Sequence, residues 1–199
     1  MLSNLSVVMK EIVALVCLLV CFLPSFSQDR GIGLRVGAPM GITYKKYLPK
    51  NRAVEIGLGT LTSGWYGQYY ENSFWDYKRY NGYRYVSHNV NSTVYLQGRY
   101  LFHYDIHIEG MMGKLDWYWG PGVMLKIASI DYRYRLDNGE TRRHTQTDVD
   151  LGPEGILGME YTFEDVPITL FGEFSLMMEF ADRPLAFRGF SGFGARYNF

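Results

Sequence analysis

Histidine is the residue type in this sequence that is best suited to acid–base or metal chemistry, and the chain has 4 of them. They are His88 beside Ser87, His144 beside Thr145, and His103 and His107 on either side of Asp105. Adjacency to a hydroxyl is weak support for nucleophilic catalysis, because triad members usually come from distant segments. The spacing of His103 and His107 suits a metal only on a helix, and this stretch has no helical period. No catalytic residue and no metal site are therefore predicted.

A second candidate site is the stretch 61–91, which is unusually rich in aromatic residues. Its candidate contact residues are Trp65, Tyr66, Tyr69, Tyr70, Trp75, Tyr77, Tyr80, Tyr83 and Tyr85, with Phe74, Lys78, Arg79 and Arg84 among them. Rings with cationic neighbours offer large amphipathic area at low entropic cost, which suits a glycan, a peptide or a partner protein. The alternative is that the third and fourth strands simply extend above the bilayer as a hairpin, in which tyrosine is common because it favours β-strands. Both interpretations stay open.

Charged residues recur at alternate positions along the chain, on the face opposite to large apolar residues. The candidate charge network comprises Arg35, Lys45, Glu55, Arg99, Asp116, Lys126, Glu154, Glu160, Glu173, Glu179 and Arg196. Charges that share a narrow interior must be paired or hydrated. They predict either a salt-bridged plug or a polar path for small ions. The formal net charge of the chain is +0, which gives no electrostatic case for nucleic acid.

The elements that position these residues follow from a period of two, which recurs throughout the chain. It predicts strands over 30–37, 41–47, 53–60, 92–102, 115–127, 148–163, 168–180 and 190–199. In the first of them, Ile32, Leu34 and Val36 share one face, while Gly33 and Arg35 lie on the other. Even numbers of strands with one apolar and one polar face are typical of transmembrane barrels. The sequence therefore predicts an all-β, eight-stranded, antiparallel up-and-down transmembrane β-barrel.

Two features of this pattern leave alternatives open. Lys45 and Lys46 interrupt the alternation in the second strand, so its register is not determined. The alternative is a soluble barrel, in which the apolar face would point inward and the polar face would meet water. The polar face here is rich in glycine, and a water-facing surface gains little from glycine, which disfavours this alternative.

The connections divide into two sets at opposite ends of the predicted barrel. Short periplasmic turns are predicted at Leu48–Arg52, His103–Lys114 and Glu164–Pro167, and external loops at Ala38–Met40, Leu61–Asn91, Asp131–Gln146 and Ala181–Phe187. A tight turn is expected at Asp137-Asn138-Gly139. An aromatic girdle at the periplasmic end would comprise Tyr100, Phe102, Trp117, Trp119, Tyr161, Phe163, Tyr197 and Phe199.

The first residues read as an export signal rather than as part of the fold. Ile12–Phe22 is an apolar run too short to span a bilayer but suited to a signal-peptide core. Small residues at Ser25 and Ser27 predict cleavage after Ser27, which divides the chain into a signal peptide, 1–27, and a barrel domain, 28–199. A lipoprotein signal using Cys21 is the alternative, disfavoured by the bulky Val20. The barrel domain then contains no cysteine.

At the C-terminus the chain ends Phe193-Gly194-Ala195-Arg196-Tyr197-Asn198-Phe199. This ending, with Tyr197 and Phe199 at alternate positions, resembles the signal read by the outer-membrane barrel assembly machinery. Together with the segment Gly155–Tyr161, the barrel domain resembles the small eight-stranded outer-membrane barrels of Gram-negative bacteria, the group around OmpX, OmpW and OmpA. The resemblance implies the outer membrane as location, and lipid, lipopolysaccharide and the assembly machinery as partners. It implies no cofactor.

Barrels of this type host several functions, so the resemblance does not choose one. We expect a non-enzymatic structural, adhesive or complex-subunit scaffold that presents the 61–91 hairpin, with a protein or glycan partner there and no nucleic acid. The alternative is a channel for small solutes or hydrophobic molecules. The third is an enzyme that modifies lipid A.

Overall fold

The protein is described here as a computed structural model that covers residues 29–60, 71, 74–75, 83–136, 138–180 and 186–199. Its strands are β1 (Arg30–Ala38), β2 (Met40–Leu48), β3 (Arg52–Thr60), β4 (Arg84–Asp105), β5 (Lys114–Arg135), β6 (Thr141–Thr162), β7 (Ile168–Glu179) and β8 (Ala186–Asn198). Each pairs antiparallel with its sequence neighbour, and β1 pairs with β8 to close the barrel. The predicted fold class is confirmed. In the covered ranges, no helix is long and apolar enough to cross a membrane. The predicted signal peptide lies outside them.

The outer surface of the barrel is apolar and the inner surface is polar. On β1, Ile32, Leu34 and Val36 are 50%, 67% and 50% exposed, whereas Arg35 is 1% exposed. This arrangement is the reverse of a soluble barrel, so that alternative is wrong. On β5 the outward apolar positions run from Leu115 to Ile127. At about 3.3 Å per residue and the usual tilt of about 40°, that belt is roughly 30 Å high, close to a bilayer's hydrocarbon core.

The register of β2, which the sequence left open, is continuous. It runs without a bulge from Met40 opposite Thr60 to Leu48 opposite Arg52. Lys45 is buried inside the barrel, and Lys46 points outward near the end of the strand. The alternation is therefore not interrupted, since a lysine stem can lie along apolar surface while its ammonium reaches water.

Three strands are much longer than the others. β4, β5 and β6 each have 22 residues. Their neighbours are shorter: β3 has 9 residues and ends at Thr60, and β7 has 12 and ends at Glu179. The segments 84–92, 129–135 and 141–147 of the three long strands continue beyond the apolar belt as a three-stranded sheet, which we call the extended sheet. The predicted loops Leu61–Asn91 and Asp131–Gln146 are thus wrong over 84–91, 131–135 and 141–146. The hairpin between β5 and β6 closes where Gly139 N donates to Leu136 O at 2.9 Å, in the predicted turn.

The other end of the barrel, the turn end, carries the short connections between β2 and β3, β4 and β5, and β6 and β7. Aromatic rings surround it on the outer face. The ring centroids of Phe102 and Trp119 are 5.2 Å apart, and those of Tyr104 and Trp117 are 4.6 Å apart. Phe102, Trp117 and Trp119 belong to the girdle predicted from the sequence, and Tyr104 is a further ring that the prediction did not include.

Candidate functional site

The interior of the barrel contains a balanced set of buried charges, which we call the lower charge network. Its cations are Arg35, Lys45, Arg99 and Arg196, and its carboxylates are Glu55, Glu154, Glu160 and Glu173. None is more than 7% exposed. Four positive and four negative formal charges leave this set neutral, as a site of low dielectric requires.

Arg99 is the centre of this network. Its Nη1 donates to Glu55 Oε1 at 2.9 Å and to Glu173 Oε1 at 2.7 Å, and its Nη2 donates to Glu154 Oε1 at 2.8 Å. Arg35 also approaches Glu173, with Nη1 2.8 Å from Oε1. One guanidinium therefore links carboxylates from three strands.

Glu160 is the second meeting point, closer to the turn end. Lys45 Nζ donates to Glu160 Oε2 at 2.6 Å, and Arg196 Nη1 donates to the same oxygen at 3.1 Å. Arg196 also donates to Glu55, which joins this pair to the Arg99 group. The ammonium of Lys45 lies 4.3 Å from the ring centroid of Tyr118, a favourable cation–π contact.

A polar pocket of about 250 Å³ opens at the turn end below this network. His103 lines it, with Nε2 3.3 Å from Glu160 Oε1. Asp116 is buried on the inner face as predicted, but its Oδ2 is 2.8 Å from Lys114 Nζ at the turn end, so it does not join the lower charge network. Mixed charges around a small open pocket suit water better than a single ion.

Above the lower charge network the interior becomes apolar and then charged again. Buried Ala38, Met124, Met177 and Phe190 form an apolar layer. The next level, the upper charge cluster, comprises Lys126, Asp148, Asp150, Glu179 and Arg188. Arg188 Nη1 donates to Asp150 Oδ2 at 3.1 Å. The interior is thus stratified, with an apolar level between two ionic ones.

Sequence reasoning placed Lys126 and Glu179 inside but missed Asp148, Asp150 and Arg188. The sequence pattern could have identified the two aspartates, because Asp148 and Asp150 lie at alternate positions on the same face of β6 as Glu154. Arg188 lies on the same face of β8 as Arg196, but the eighth strand was predicted to begin at Phe190, four residues after its actual start at Ala186.

The inner face of the extended sheet is covered by an aromatic cap centred on Phe74. Phe74 is fully buried against Ala128, Ile130 and Tyr132, with ring centroids 5.5 Å apart for Phe74 and Tyr132. Tyr83 and Tyr85 pack against this cluster, whereas Trp75 is 57% exposed. Of the predicted contact residues, Trp65, Tyr66, Tyr69, Tyr70, Tyr77 and Tyr80 lie outside the described residues.

Two of the histidines belong to this end of the molecule. His88 Nδ1 and the Tyr85 hydroxyl share a hydrogen bond of 2.7 Å, and His144 lies opposite Tyr132 in the sheet. Burial lowers the pKa of His88, and the carboxylate of Glu71 opposes this shift. Within the described ranges, no group of three or more His, Cys, Asp or Glu side chains could hold a metal ion.

Comparison with known proteins finds no matching family model and no matching curated sequence. Among solved structures, the chain is similar to the N-terminal β-barrel domain of Pseudomonas aeruginosa OprF, with 12% identity, coverage of 85% of this chain and 95% of that one, and a TM-score of 0.39. It is also similar to Ail, the attachment invasion locus protein of Yersinia pestis, solved with the heparin analogue sucrose octasulfate, at 9% identity, 85% and 94% coverage and a TM-score of 0.36. Neisserial surface protein A matches at 10% identity, 85% and 93% coverage and a TM-score of 0.36. Identities this low assign no activity to the chain.

Proposed function

We propose that the chain is a non-conducting, non-enzymatic barrel of the outer membrane that acts as a scaffold and presents the extended sheet and its aromatic cap outside the cell. The observation that carries this proposal is the apolar outer belt around an interior filled with paired charges. The belt supports the membrane location, because soluble monomers rarely expose contiguous apolar surface of this extent.

The stratified interior favours a closed barrel over a channel. A conducting path would have to pass the lower charge network, the apolar layer and the upper charge cluster in turn. Arg99 is hydrogen-bonded to three carboxylates, and Phe190 in the apolar layer is 1% exposed. Moving such groups aside would break buried ion pairs, which costs several kcal/mol for each unpaired charge.

The extended sheet is where the chain adds surface beyond what a barrel needs. Its inner face is covered by Phe74, so its outer face is the surface left for contact. His88 shares a hydrogen bond with the Tyr85 hydroxyl and packs against the ring of Tyr132, so it helps to hold the cap on the sheet.

Single-cysteine labelling tests the orientation, because both cysteines of the chain, Cys17 and Cys21, lie in the predicted signal peptide. Asn138→Cys places a thiol at the tip of the extended sheet, and Asp165→Cys places one in a turn at the opposite end. In intact cells a membrane-impermeant maleimide should label the first variant and not the second. Lysed cells should label both. Labelling of Asp165→Cys in intact cells would overturn the proposed orientation, and loss of both signals from the membrane fraction would overturn the location.

Recording in planar lipid bilayers tests the closed interior. The refolded protein should give no reproducible conductance steps at moderate voltage. Regular steps at low protein concentration, absent from a mock preparation, would contradict the scaffold proposal and favour the channel.

A further inference from the structure

The outer face of the extended sheet carries a cluster of exposed arginines, which we call the arginine patch. It comprises Arg84, Arg133, Arg135 and Arg143, from β4, β5 and β6. Arg84 lies opposite Arg135 and Arg133 lies opposite Arg143 in the strand register. Like charges directly opposite each other destabilise a sheet, so this arrangement has a cost that folding alone does not explain.

Among the described residues, the patch differs from the arginines inside the barrel in lacking salt bridges. Inside, Arg35, Arg99, Arg188 and Arg196 are all paired with carboxylates. Arg142 neighbours the patch in sequence but lies on the other face, where its Nη2 is 3.2 Å from Glu140 Oε2. In the part of the chain that the structure describes, no carboxylate forms a salt bridge with any of the four patch arginines.

Of the described residues that line the concavity beside the patch, Asp131 is the carboxylate, and it is already engaged. Asp131 accepts a hydrogen bond from the Thr145 hydroxyl, which lowers the pKa of this exposed carboxyl, with Arg143 and Arg133 contributing less. Within the described residues, four guanidinium groups beside this carboxylate give the patch an excess of positive charge. That excess favours the binding of an anion.

The shape of the patch suits small tetrahedral anions carried on sugars. A concavity of about 290 Å³ is lined by Ser87, His88, Asn89, Asp131, Arg133 and Arg143. Guanidinium groups bind phosphate through paired, charge-assisted hydrogen bonds. Hydroxyl and amide side chains beside them can bond to saccharide hydroxyls.

The height of the patch above the belt indicates where this anion comes from. Arg133 lies six residues beyond Ile127, which is about 20 Å along the strand, or roughly 15 Å along the membrane normal. Two outward polar rows, Ser129 with Thr147 and Asp131 with Thr145, lie between. The patch residues lie on the outward face of the strands, so their side chains point away from the barrel wall and towards the head groups of neighbouring lipids.

We propose that the arginine patch binds phosphate groups on the saccharide heads of the glycolipid that surrounds the barrel in the outer leaflet. This inference rests on the proposed membrane function. It gives the scaffold a lipid contact that fixes the extended sheet at the level of the sugar layer.

The test measures binding of the full-length processed protein, in neutral detergent, to rough-type lipopolysaccharide and to the same lipopolysaccharide after chemical removal of its phosphates. The wild-type protein should bind the phosphorylated form at least tenfold more tightly, with affinity falling as salt rises. Arg133→Gln combined with Arg143→Gln should lower that affinity by roughly tenfold or more, because charge-assisted hydrogen bonds are lost. Arg142→Gln, on the opposite face, is the matched control and should bind within about twofold of wild type.

Equal binding of the two lipopolysaccharide forms, or an unchanged affinity of the double variant, would overturn the inference. Arginine-dependent binding of soluble heparin without binding of the phosphorylated glycolipid would also overturn it, in favour of a soluble polyanion. Each variant is also combined with Asn138→Cys and labelled on intact cells. If Asn138→Cys is labelled normally but lipopolysaccharide binding does not depend on the phosphates, only this inference is overturned. If Asn138→Cys without any arginine substitution is not labelled, the proposed function is overturned as well.

Discussion

Arg99 and Glu154 form a two-point ion pair in the centre of the barrel. Arg99 Nη2 donates to Glu154 Oε1 at 2.8 Å, and its Nε donates to Oε2 at 3.3 Å. Such paired hydrogen bonds fix the plane of both groups. Because the plane is fixed, Nη1 of the same guanidinium is directed at Glu55 and Glu173.

Replacement of this arginine should be strongly destabilising. Arg99→Met leaves Glu55, Glu154 and Glu173 short of a shared cation, and an uncompensated buried charge costs about 3–5 kcal/mol. Urea titration of the folded barrel in lipid vesicles, followed by tryptophan fluorescence, measures the loss in free energy of unfolding. Arg52→Met, which removes an exposed side chain bonded only weakly to the Tyr100 hydroxyl, is the control and should change that free energy by less than about 0.5 kcal/mol. Similar losses for both variants would show that the network does not stabilise the barrel.

A second prediction concerns the space next to Tyr118. A Cβ at Gly158 would lie 2.4 Å from Tyr118 Cζ, and that ring is fully buried with its hydroxyl donating to Glu173 Oε2 at 3.0 Å. Gly158→Ala should therefore displace the ring and lower the free energy of unfolding by about 1–3 kcal/mol. Gly172→Ala is the matched control on the outer face, where a Cβ meets nothing within 4 Å. The same urea titration separates them, and equal stability of the two variants would contradict the packing described.

The aromatic cap gives a third prediction, in which neighbouring residues serve as test and control. Phe74→Ala removes the ring that covers Ala128, Ile130 and Tyr132, so the extended sheet should open more often. Trypsin should then cleave within 133–143 at least tenfold faster on intact cells, while the belt-embedded barrel stays uncut. Trp75→Ala, which removes an exposed ring, should be cleaved at nearly the wild-type rate. Equal cleavage of the two variants would mean that Phe74 does not hold the sheet.

The fourth prediction is a pH dependence at the same place. Because burial lowers the pKa of His88, the folded cap favours the neutral imidazole. Its contribution to stability is complete above the unfolded value of about 6.5 and is lost as the pH falls through the lower folded pKa. A histidine-selective NMR titration in detergent should give a midpoint below about 6.5 for His88. Phe74→Ala should move that midpoint upward, since it exposes the ring, and an unchanged midpoint would contradict the assignment to burial.

Strand positions in the belt could be predicted because lipid outside and polar groups inside impose opposite residue types on alternate positions. The same alternation gave a wrong prediction above the apolar belt, where the outer face no longer meets lipid. Along β5 the apolar parity switches after Ile127, and Ala128, Ile130 and Tyr132 then face inward while Asp131 and Arg133 face outward. Beyond the belt the outer face meets polar surroundings, so the strand continues with polar residues on its outer face and apolar residues on its inner face. The sequence contains that reversal, but a strict search for one apolar parity ends the strand at Ile127 and predicts a loop beyond it.

The partners inside the barrel could not be predicted in the same way. Parity places Arg99 and Glu173 on the inner face, but 74 positions separate them along the chain. Which carboxylate meets which cation depends on the stagger between strands, and the sequence pattern does not specify that stagger. For the same reason the sequence did not specify the partner of the interior residue Asp116, which is Lys114 at the turn end.

The lower charge network draws its eight charged groups from every strand except β5. Arg35 on β1 meets Glu173 on β7, and Lys45 on β2 meets Glu160 on β6. Neither contact exists in an open sheet, however many neighbouring strands have already paired. An incomplete barrel would therefore expose unmatched charges along its inner wall, which only water can stabilise. The meeting of β1 with β8, rather than the formation of any strand, is the step at which the chain becomes compatible with a hydrocarbon surrounding.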